Sequence, residues 1–147
     1  MAAITQASFT PAATSHVVGD VNGGAQEFKS SGFVGQAAAI WSCSLRIDNA
    51  AIETSTWRLH LFDVTPPGAI ADDGAFTLAA GDRASYLGYI DIAQVVTFGA
   101  SNYIESNNIW KLVRLRSSSL FAYLVNGTTL TPNASAHVVT LGLSSAD

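Results

Sequence analysis

Short stretches in which apolar and polar residues alternate, separated by turn-forming residues, run through most of this chain. In AAIWSCSLRID (38–48), Trp41, Cys43, Leu45 and Ile47 share one parity, and serines and an arginine occupy the other. Successive side chains of a β-strand point to opposite faces, so this pattern predicts a strand with one buried face. The period of two therefore favours a β protein over a helical one.

Six other segments have the same alternation or a high content of β-branched and aromatic residues. They predict strands at 4–9, 25–30, 56–64, 109–117, 120–130 and 136–143. Serines separate two of them, which predicts a hairpin spanning residues 109 to 126. One helical turn is expected in AAGDRASYLGY, capped by Asp82 and ended by Gly88.

Turn signals punctuate the predicted strands at short intervals. They are rich in Gly, Pro, Asn and Asp and lie at 19–24, 32, 48–49, 66–68, 99, 107–108, 126–127 and 132–133. This spacing is typical of a sandwich or barrel rather than of strands alternating with helices. We therefore expect an all-β fold: a single-domain antiparallel β-sandwich, jelly-roll-like, with at most short helical turns.

Two segments are expected to lie outside the sandwich. Residues 1–15 (MAAITQASFTPAATS) are small and polar, which predicts a flexible or partner-ordered N-terminal arm before a sandwich domain at 16–147. Residues 63–83, rich in Pro, Gly and Ala, predict a long surface loop of the kind that meets partners.

The composition limits the classes of partner. The chain is 48% hydrophobic but only 12% charged, about half the charged fraction of an average globular protein. Few charges are available to coat an isolated monomer, so we expect a partner or further copies of the chain to cover part of the surface. A net charge of −4 disfavours nucleic acid. No apolar run of about 20 residues favours a membrane span, and the N-terminus lacks the features of a secretory signal.

The stretch GDVNGG raises the question of a calcium loop. Asp20 and Asn22 would supply ligand positions 1 and 3 of an EF-hand. Position 6, which needs glycine, is Ala25, and position 12, which needs glutamate, is Ser31. The stretch is therefore interpreted as a turn in which glycines adopt positive φ and polar side chains bond the local backbone.

No catalytic, cofactor or metal site is predicted, and the chain is not expected to be an enzyme. Cys43 is interpreted as a buried thiol, and the histidines (His16, His60 and His137) as structural residues without ligand spacing. The motifs of zinc proteases, serine hydrolases, P-loop proteins and dinucleotide-binding proteins do not occur in the sequence.

Aromatic and charged residues offer contact sites instead. Trp41, Trp57 and Trp110 are interpreted as core or interface anchors, with a sugar-stacking platform as the alternative. Arg114 and Arg116 share one face of a predicted strand, where they are either solvated, bridged to acids or docked on an acidic partner.

The order of several pieces resembles a family of small structural proteins of tailed bacteriophages. These pieces are GDVNGG, a strand ending LRID, WRLHLFDVTPPG, DDGAFTLAAGDRASYLGYIDIA and LFAYLVNGTTLTP. The resemblance covers roughly residues 17–143 and is strongest where LFD is followed by proline, an acidic spacer, AFTLAAGD and YLGYI. Genes of such proteins usually lie among virion genes near that of the major capsid protein.

The resemblance implies a head decoration or cement protein, assembled in the host bacterial cytoplasm and located on the capsid surface of the virion. Its expected partners are the major capsid protein and its own copies, with a trimer preferred and a dimer possible. The alternative is a carbohydrate-binding β-sandwich associated with a tail or head fibre. Candidate contacts lie in the arm, the loop and the arginine strand: Ile4, Phe9, Pro66, Pro67, Asp72, Asp73, Arg114 and Arg116.

Overall fold

The computed structural model describes residues 2–29 and 33–146, and these residues form ten β-strands and one short 3-10 helix. The predicted turn at Gly32 lies outside the described residues. The helix spans Ala80–Ser85. The strands are β1 (Ala2–Phe9), β2 (Val21–Lys29), β3 (Ala37–Ile47), β4 (Trp57–Phe62), β5 (Tyr86–Ile92), β6 (Val96–Thr97), β7 (Asn102–Ser106), β8 (Lys111–Arg114), β9 (Ser119–Asn126) and β10 (His137–Ser145).

The strands form two antiparallel sheets with the order of a jelly roll. The six-stranded sheet runs β1-β10-β3-β7-β6, with β8 pairing β3 beyond β7, and the four-stranded sheet runs β2-β9-β4-β5. A jelly roll has eight strands. If β6 is left out and β7 and β8 are counted together as strand six, β9 becomes strand seven and β10 strand eight. The two sheets then have the strand orders 1-8-3-6 and 2-7-4-5. This confirms the predicted all-β sandwich and its jelly-roll character.

The main core fills the space between the sheets. The inward residues of β3, β4, β9 and β10 are fully or almost fully buried, as alternation predicted. Its largest members include Phe9, Phe28, Leu45, Trp57, Leu59 and Leu115.

The N-terminal segment is a strand of the six-stranded sheet. The prediction of a flexible or partner-ordered arm at 1–15 is therefore wrong for residues 2–9. β1 pairs with β10 along its whole length, from Ala2 opposite Ser144 to Phe9 opposite His137. Phe9 is completely buried in the core, and Pro11 is buried as well. The small polar residues Gln6 and Ser8 lie on the solvent face of an edge strand, which explains why the composition resembled that of an arm.

A β-bulge in β3 moves Trp41 off the core face. Ser42 pairs with Gly142 while Ile40 pairs with the next residue, Leu143, so Trp41 is the extra residue. Ile40 is therefore fully buried and Trp41 is half-buried. Alternation alone had placed Trp41 with Cys43, and the bulge overturns that placement because it shifts the parity by one residue.

The predicted hairpin at 109–126 does not form. β8 pairs with β3 in the six-stranded sheet, whereas β9 pairs with β2 and β4 in the other sheet. The serines between the two strands therefore connect the sheets rather than close a hairpin. β8 alternates between exposed and buried residues, whereas β9 is buried on both faces. Neither pattern specifies which neighbour a strand takes.

The segment 63–83 packs across the outer face of the four-stranded sheet instead of extending into solvent. Residues 73–76 run beside 19–21, with hydrogen bonds from Val21 N to Gly74 O (2.8 Å) and from Phe76 N to Gly19 O (2.9 Å). Below it lies a second buried cluster, formed by Val21, Phe62, Tyr123 and Val125 and packed by residues that include Ile70, Phe76 and Leu78. The apolar outer face of β4 and β9 requires this cover.

The short helical turn was predicted correctly, but its ends were not. The helix begins after Ala79, which makes no side-chain cap, and Asp82 lies inside its first turn. Gly88 lies in β5, where its φ of 91° accompanies a register shift against β4.

GDVNGG is half turn and half strand. Asp20 accepts a hydrogen bond from Val17 N (2.7 Å), and Asn22 donates to Asp20 O (3.2 Å), which is the local backbone bonding expected. Gly23 and Gly24 have positive φ, as predicted, but they lie in β2, where the register against β9 shifts.

Candidate functional site

An exposed apolar region lies on the outer face of the six-stranded sheet, at the end where β1 begins. Register places Ala2, Ser144, Ala39 and Leu112 in one row across four strands. Ile4, Gly142 and Ser42 form the next row. We call this region the apolar face; its members are Ala2, Ile4, Ala39, Trp41, Ser42, Leu112, Gly142 and Ser144.

Large side chains of this face are open to solvent. Ile4 is 67% exposed and Leu112 70% exposed. Trp110 lies beside the face, next to β3, because Ile109 N donates to Trp41 O (3.3 Å). It is 63% exposed and adopts a φ of 52°, a left-handed conformation that bulky residues rarely take.

The members of the apolar face carry no charged side chain. Lys111 directly precedes Leu112 but lies on the other side of β8, toward Gly88 of β5. The nearest charge along β8 on the same side as Leu112 is Arg114, which pairs with Ala37 and is exposed. Toward the other end of the sheet the outer residues become polar, with Glu105 and Arg46 in successive rows. An apolar centre with charges at its margin is typical of protein interfaces.

The structure distributes the predicted contact residues over several regions. Ile4 belongs to the apolar face, Arg114 lies at its margin, and Pro67 is exposed in the segment 63–83. Phe9 and Pro66 are buried, so they are unavailable to a partner and those two assignments are wrong. Both are held by packing within the domain that the sequence pattern did not reveal.

Asp72 is partly exposed and joins three segments of the chain through hydrogen bonds. It accepts hydrogen bonds from Ala12 N (2.9 Å), from Gly23 N (2.7 Å) and from the Nε2 of His16 (3.1 Å). Burial acts to raise the pKa of Asp72, but these hydrogen bonds outweigh it and lower the pKa. Asp73, at a φ of 66°, is more open and lies 3.9 Å from the Nδ1 of His16.

His16 is the buried partner of that carboxylate. Its Nδ1 faces the carbonyl oxygen of Thr14 (2.9 Å) and its Nε2 faces Asp72, so both ring nitrogens face acceptors. Only the doubly protonated ring can donate to both. Burial acts to lower the pKa of His16, but the hydrogen bonds and the aspartates together raise it.

A second histidine repeats this arrangement at the other end of the chain. His137 is fully buried; its Nδ1 faces Ser135 O (2.8 Å) and its Nε2 faces Glu53 (2.6 Å). Glu53 also accepts from Asn133 N (2.6 Å). The sequence offered no signal for either pair, because each joins residues more than 50 positions apart.

Arg116 is one half of an ion pair. Its Nε lies 2.7 Å from Asp63, and its guanidinium also donates to Ala84 O (2.8 Å). The sequence left three alternatives for this arginine: solvated, bridged to an acid, or docked on an acidic partner. The structure shows it bridged to an acid. Arg116 thereby fastens the β8–β9 connection to both ends of the loop that carries the helix.

Cys43 is a buried free thiol, as predicted. Burial raises its pKa to about 12, which keeps it protonated and unreactive at neutral pH.

The tryptophans do not form a shared platform. Trp57 is buried and packs edge-on against His137 at 5.5 Å between ring centres. Trp41 lies half-buried over Gly142, and only Trp110 is largely exposed. The core interpretation is therefore confirmed for Trp57 alone.

Among the described residues, no cluster of three or more histidine, cysteine or carboxylate side chains is placed to hold a metal ion. Within the same ranges, no helix is long and apolar enough to cross a membrane. No model of a known protein family matches the chain, and no curated protein matches it either.

Proposed function

We propose that this protein is a non-catalytic virion protein that decorates the outside of a capsid shell. The apolar face is the observation that carries the proposal. It joins four strands of one rigid sheet, has no charge among its members, and leaves Ile4 and Leu112 largely open to water. Exposed apolar regions of this kind on soluble proteins mark interaction sites.

In this proposal the major capsid protein covers the apolar face, and copies of the chain meet one another around symmetry axes of the shell, preferably as trimers. A typical interface buries about 800 Å² on each partner. The strands that carry the apolar face are packed on their inner side against the core, so the face can meet a partner without rearrangement of the sheet. Repeated contacts across a shell add up to large stabilisation even when each one is weak.

Jelly rolls occur in viral capsid proteins and also in lectin domains. The fold is therefore compatible with the proposal but does not distinguish a capsid protein from a sugar-binding protein. The low charged fraction supports it further, because an isolated monomer with so few charges lacks the usual coat of solvated side chains.

The test is co-sedimentation of the purified protein with shells of its own virus that were produced without it. We expect saturable binding at a copy number that matches the symmetry of the shell, together with a raised rupture temperature. Leu112→Asp and Ile4→Asp place a charge on the apolar face and should each weaken binding about tenfold or more, since burying such a side chain is worth about 1.5–3 kcal/mol.

Val18→Asp is the matched control. Val18 is as exposed as the two test residues (63%) but lies near the four-stranded sheet. This variant should bind like the unmodified protein. Failure of the unmodified protein to bind shells would refute the proposal, and equal weakening by all three variants would refute the assignment to the apolar face.

A further inference from the structure

A pocket of about 490 Å³ lies on the outer face of the four-stranded sheet. It forms where the segment 63–83 stops covering that face. Phe76 of this segment stands at its edge, and Arg58, Asp91 and Val125 form one row of the exposed sheet beside it. The volume lies within the range of about 300–1,000 Å³ typical of small-ligand sites.

The polar wall of the pocket is an arginine held in a fixed orientation. The Nε of Arg58 donates to Asp91 (2.8 Å), and its guanidinium carbon lies 3.9 Å from the ring centre of Tyr89. One ring face and one carboxylate therefore set the plane of the guanidinium. Its other N–H groups and the second carboxylate oxygen remain available as donors and acceptors beside each other.

The apolar wall is a pair of stacked rings. Phe76 stacks on His60 at 3.8 Å between ring centres, with 21° between the ring planes. The Nδ1 of His60 is hydrogen-bonded to the hydroxyl of Tyr86 (2.8 Å). Burial, followed by the charge of Arg58, lowers the pKa of His60 to about 4. The ring is therefore neutral at neutral pH, and the wall carries no charge.

These features select one class of ligand. The charge of Arg58 is already balanced by Asp91, which disfavours phosphate and other anions. The Arg58–Asp91 pair and the exposed Thr56 make the pocket too polar for a purely apolar molecule. A sugar ring has hydroxyls that both donate and accept, and it has an apolar face of C–H groups. We propose that this pocket binds a neutral sugar residue of a glycan.

The pocket and the apolar face belong to different sheets of the sandwich. Docking through the six-stranded sheet would leave the pocket directed away from the shell. The sugar site does not depend on the docking proposal, because its test needs only the isolated chain.

The test is a titration of the full-length ¹⁵N-labelled protein followed by amide chemical shifts. The probes are the methyl glycosides of glucose, galactose, mannose and N-acetylglucosamine, with inorganic phosphate as the anionic probe. Each is raised to about 20 mM, well above a Kd of about 1 mM. We expect at least one glycoside to shift the amides of Arg58, Asp91 and Gly127, and phosphate to leave them unchanged.

Two variants locate the site. Asp91→Asn removes the charge that orients the guanidinium, and Arg58→Lys keeps a positive charge but loses the planar fork. Each should weaken glycoside binding about tenfold or more. Asp48→Asn is the matched control, because Asp48 forms a similar exposed pair with Arg46 (2.6 Å) on the other sheet, and it should bind normally.

Three results would overturn the proposal: no shift with any of the four glycosides, glycoside binding that both pocket variants retain, or larger shifts of the same amides with phosphate. The amide spectra of the variants show directly whether each one is folded.

Discussion

At the scale of single residues, the absence of a Cβ at Gly142 leaves room for the ring of Trp41. Gly142 points to the outer face of the six-stranded sheet, opposite the bulge in β3. A Cβ added there would lie 2.6 and 2.7 Å from two indole carbons of Trp41, closer than carbon atoms can approach. Glycine at this position thus shapes the centre of the apolar face.

Gly142→Ala should therefore destabilise the protein. We expect the free energy of unfolding to fall by about 1–3 kcal/mol, the usual cost of overpacking a close contact. The measurement is urea denaturation, with the midpoint and slope compared with those of the unmodified protein.

Gly81→Ala is the matched control for this experiment. Gly81 lies in the 3-10 helix, and an added Cβ would meet no atom within 4 Å. The change there should stay within about 0.5 kcal/mol, as at most surface positions. Similar losses in the two variants would mean that the Trp41 contact is not the cause.

At the scale of elements, β1 shows how one strand can serve both the core and the surface. Thr5, Ala7 and Phe9 face the core, whereas Ile4, Gln6 and Ser8 face solvent. Removal of the strand would expose the edge of β10 and open the core beside Phe28, whose ring centre lies 6.3 Å from that of Phe9.

Phe9→Ala tests whether β1 is part of the folded core of the free protein or an arm that becomes ordered only on a partner. Truncation of a fully buried phenylalanine typically costs about 3–5 kcal/mol, so the isolated protein should lose most of its stability. Thermal and urea unfolding of the free protein measure this loss.

Ile4→Ala, in the same strand, provides the comparison. Ile4 is largely exposed, so its truncation should change the stability of the free protein by less than about 0.5 kcal/mol. If Phe9→Ala were equally mild, β1 would not be part of the folded core in solution.

At the scale of the whole molecule, two buried histidine–carboxylate pairs hold distant segments on the sandwich. His16 and Asp72 join the β1–β2 connection to the segment 63–83, and His137 and Glu53 join β10 to the β3–β4 connection. Hydrogen bonds to these carboxylates thus anchor the loops over long range, in addition to the local turn geometry.

The first pair makes stability depend on pH in a defined direction. The pKa of His16 is raised in the folded state, so the stability from its protonation is fully present below pH 6.5 and is lost as the pH rises through the folded pKa. The pKa of Asp72 is lowered, so its contribution is present above pH 3.8 and is lost as the pH falls through the folded pKa.

His16→Gln should therefore cost most between about pH 4 and pH 6.5. The measurement is the free energy of unfolding of both proteins from pH 4 to pH 9. The difference should be about 1–3 kcal/mol at the acidic end, the size of a hydrogen bond to a charged group, and should shrink as the pH rises. A difference that does not change with pH would contradict a protonated His16.

The sequence by itself determined the fold class. Alternation in segments such as 42–48, interrupted by glycine, proline and asparagine, is a local signal that predicts which residues form strands and, away from bulges, which face each strand buries. The burial of Cys43 and of Leu59 follows from this signal alone.

Only the tertiary structure decided which strands are neighbours. β8 and β9 lie next to each other in the chain but enter different sheets, and β1 joins β10 from the opposite end of the sequence. Pairing is decided by hydrogen bonds and packing between residues far apart in the chain, which a period of two does not encode. The bulge at Trp41, the apolar face and the pocket beside Phe76 all arise from such long-range contacts.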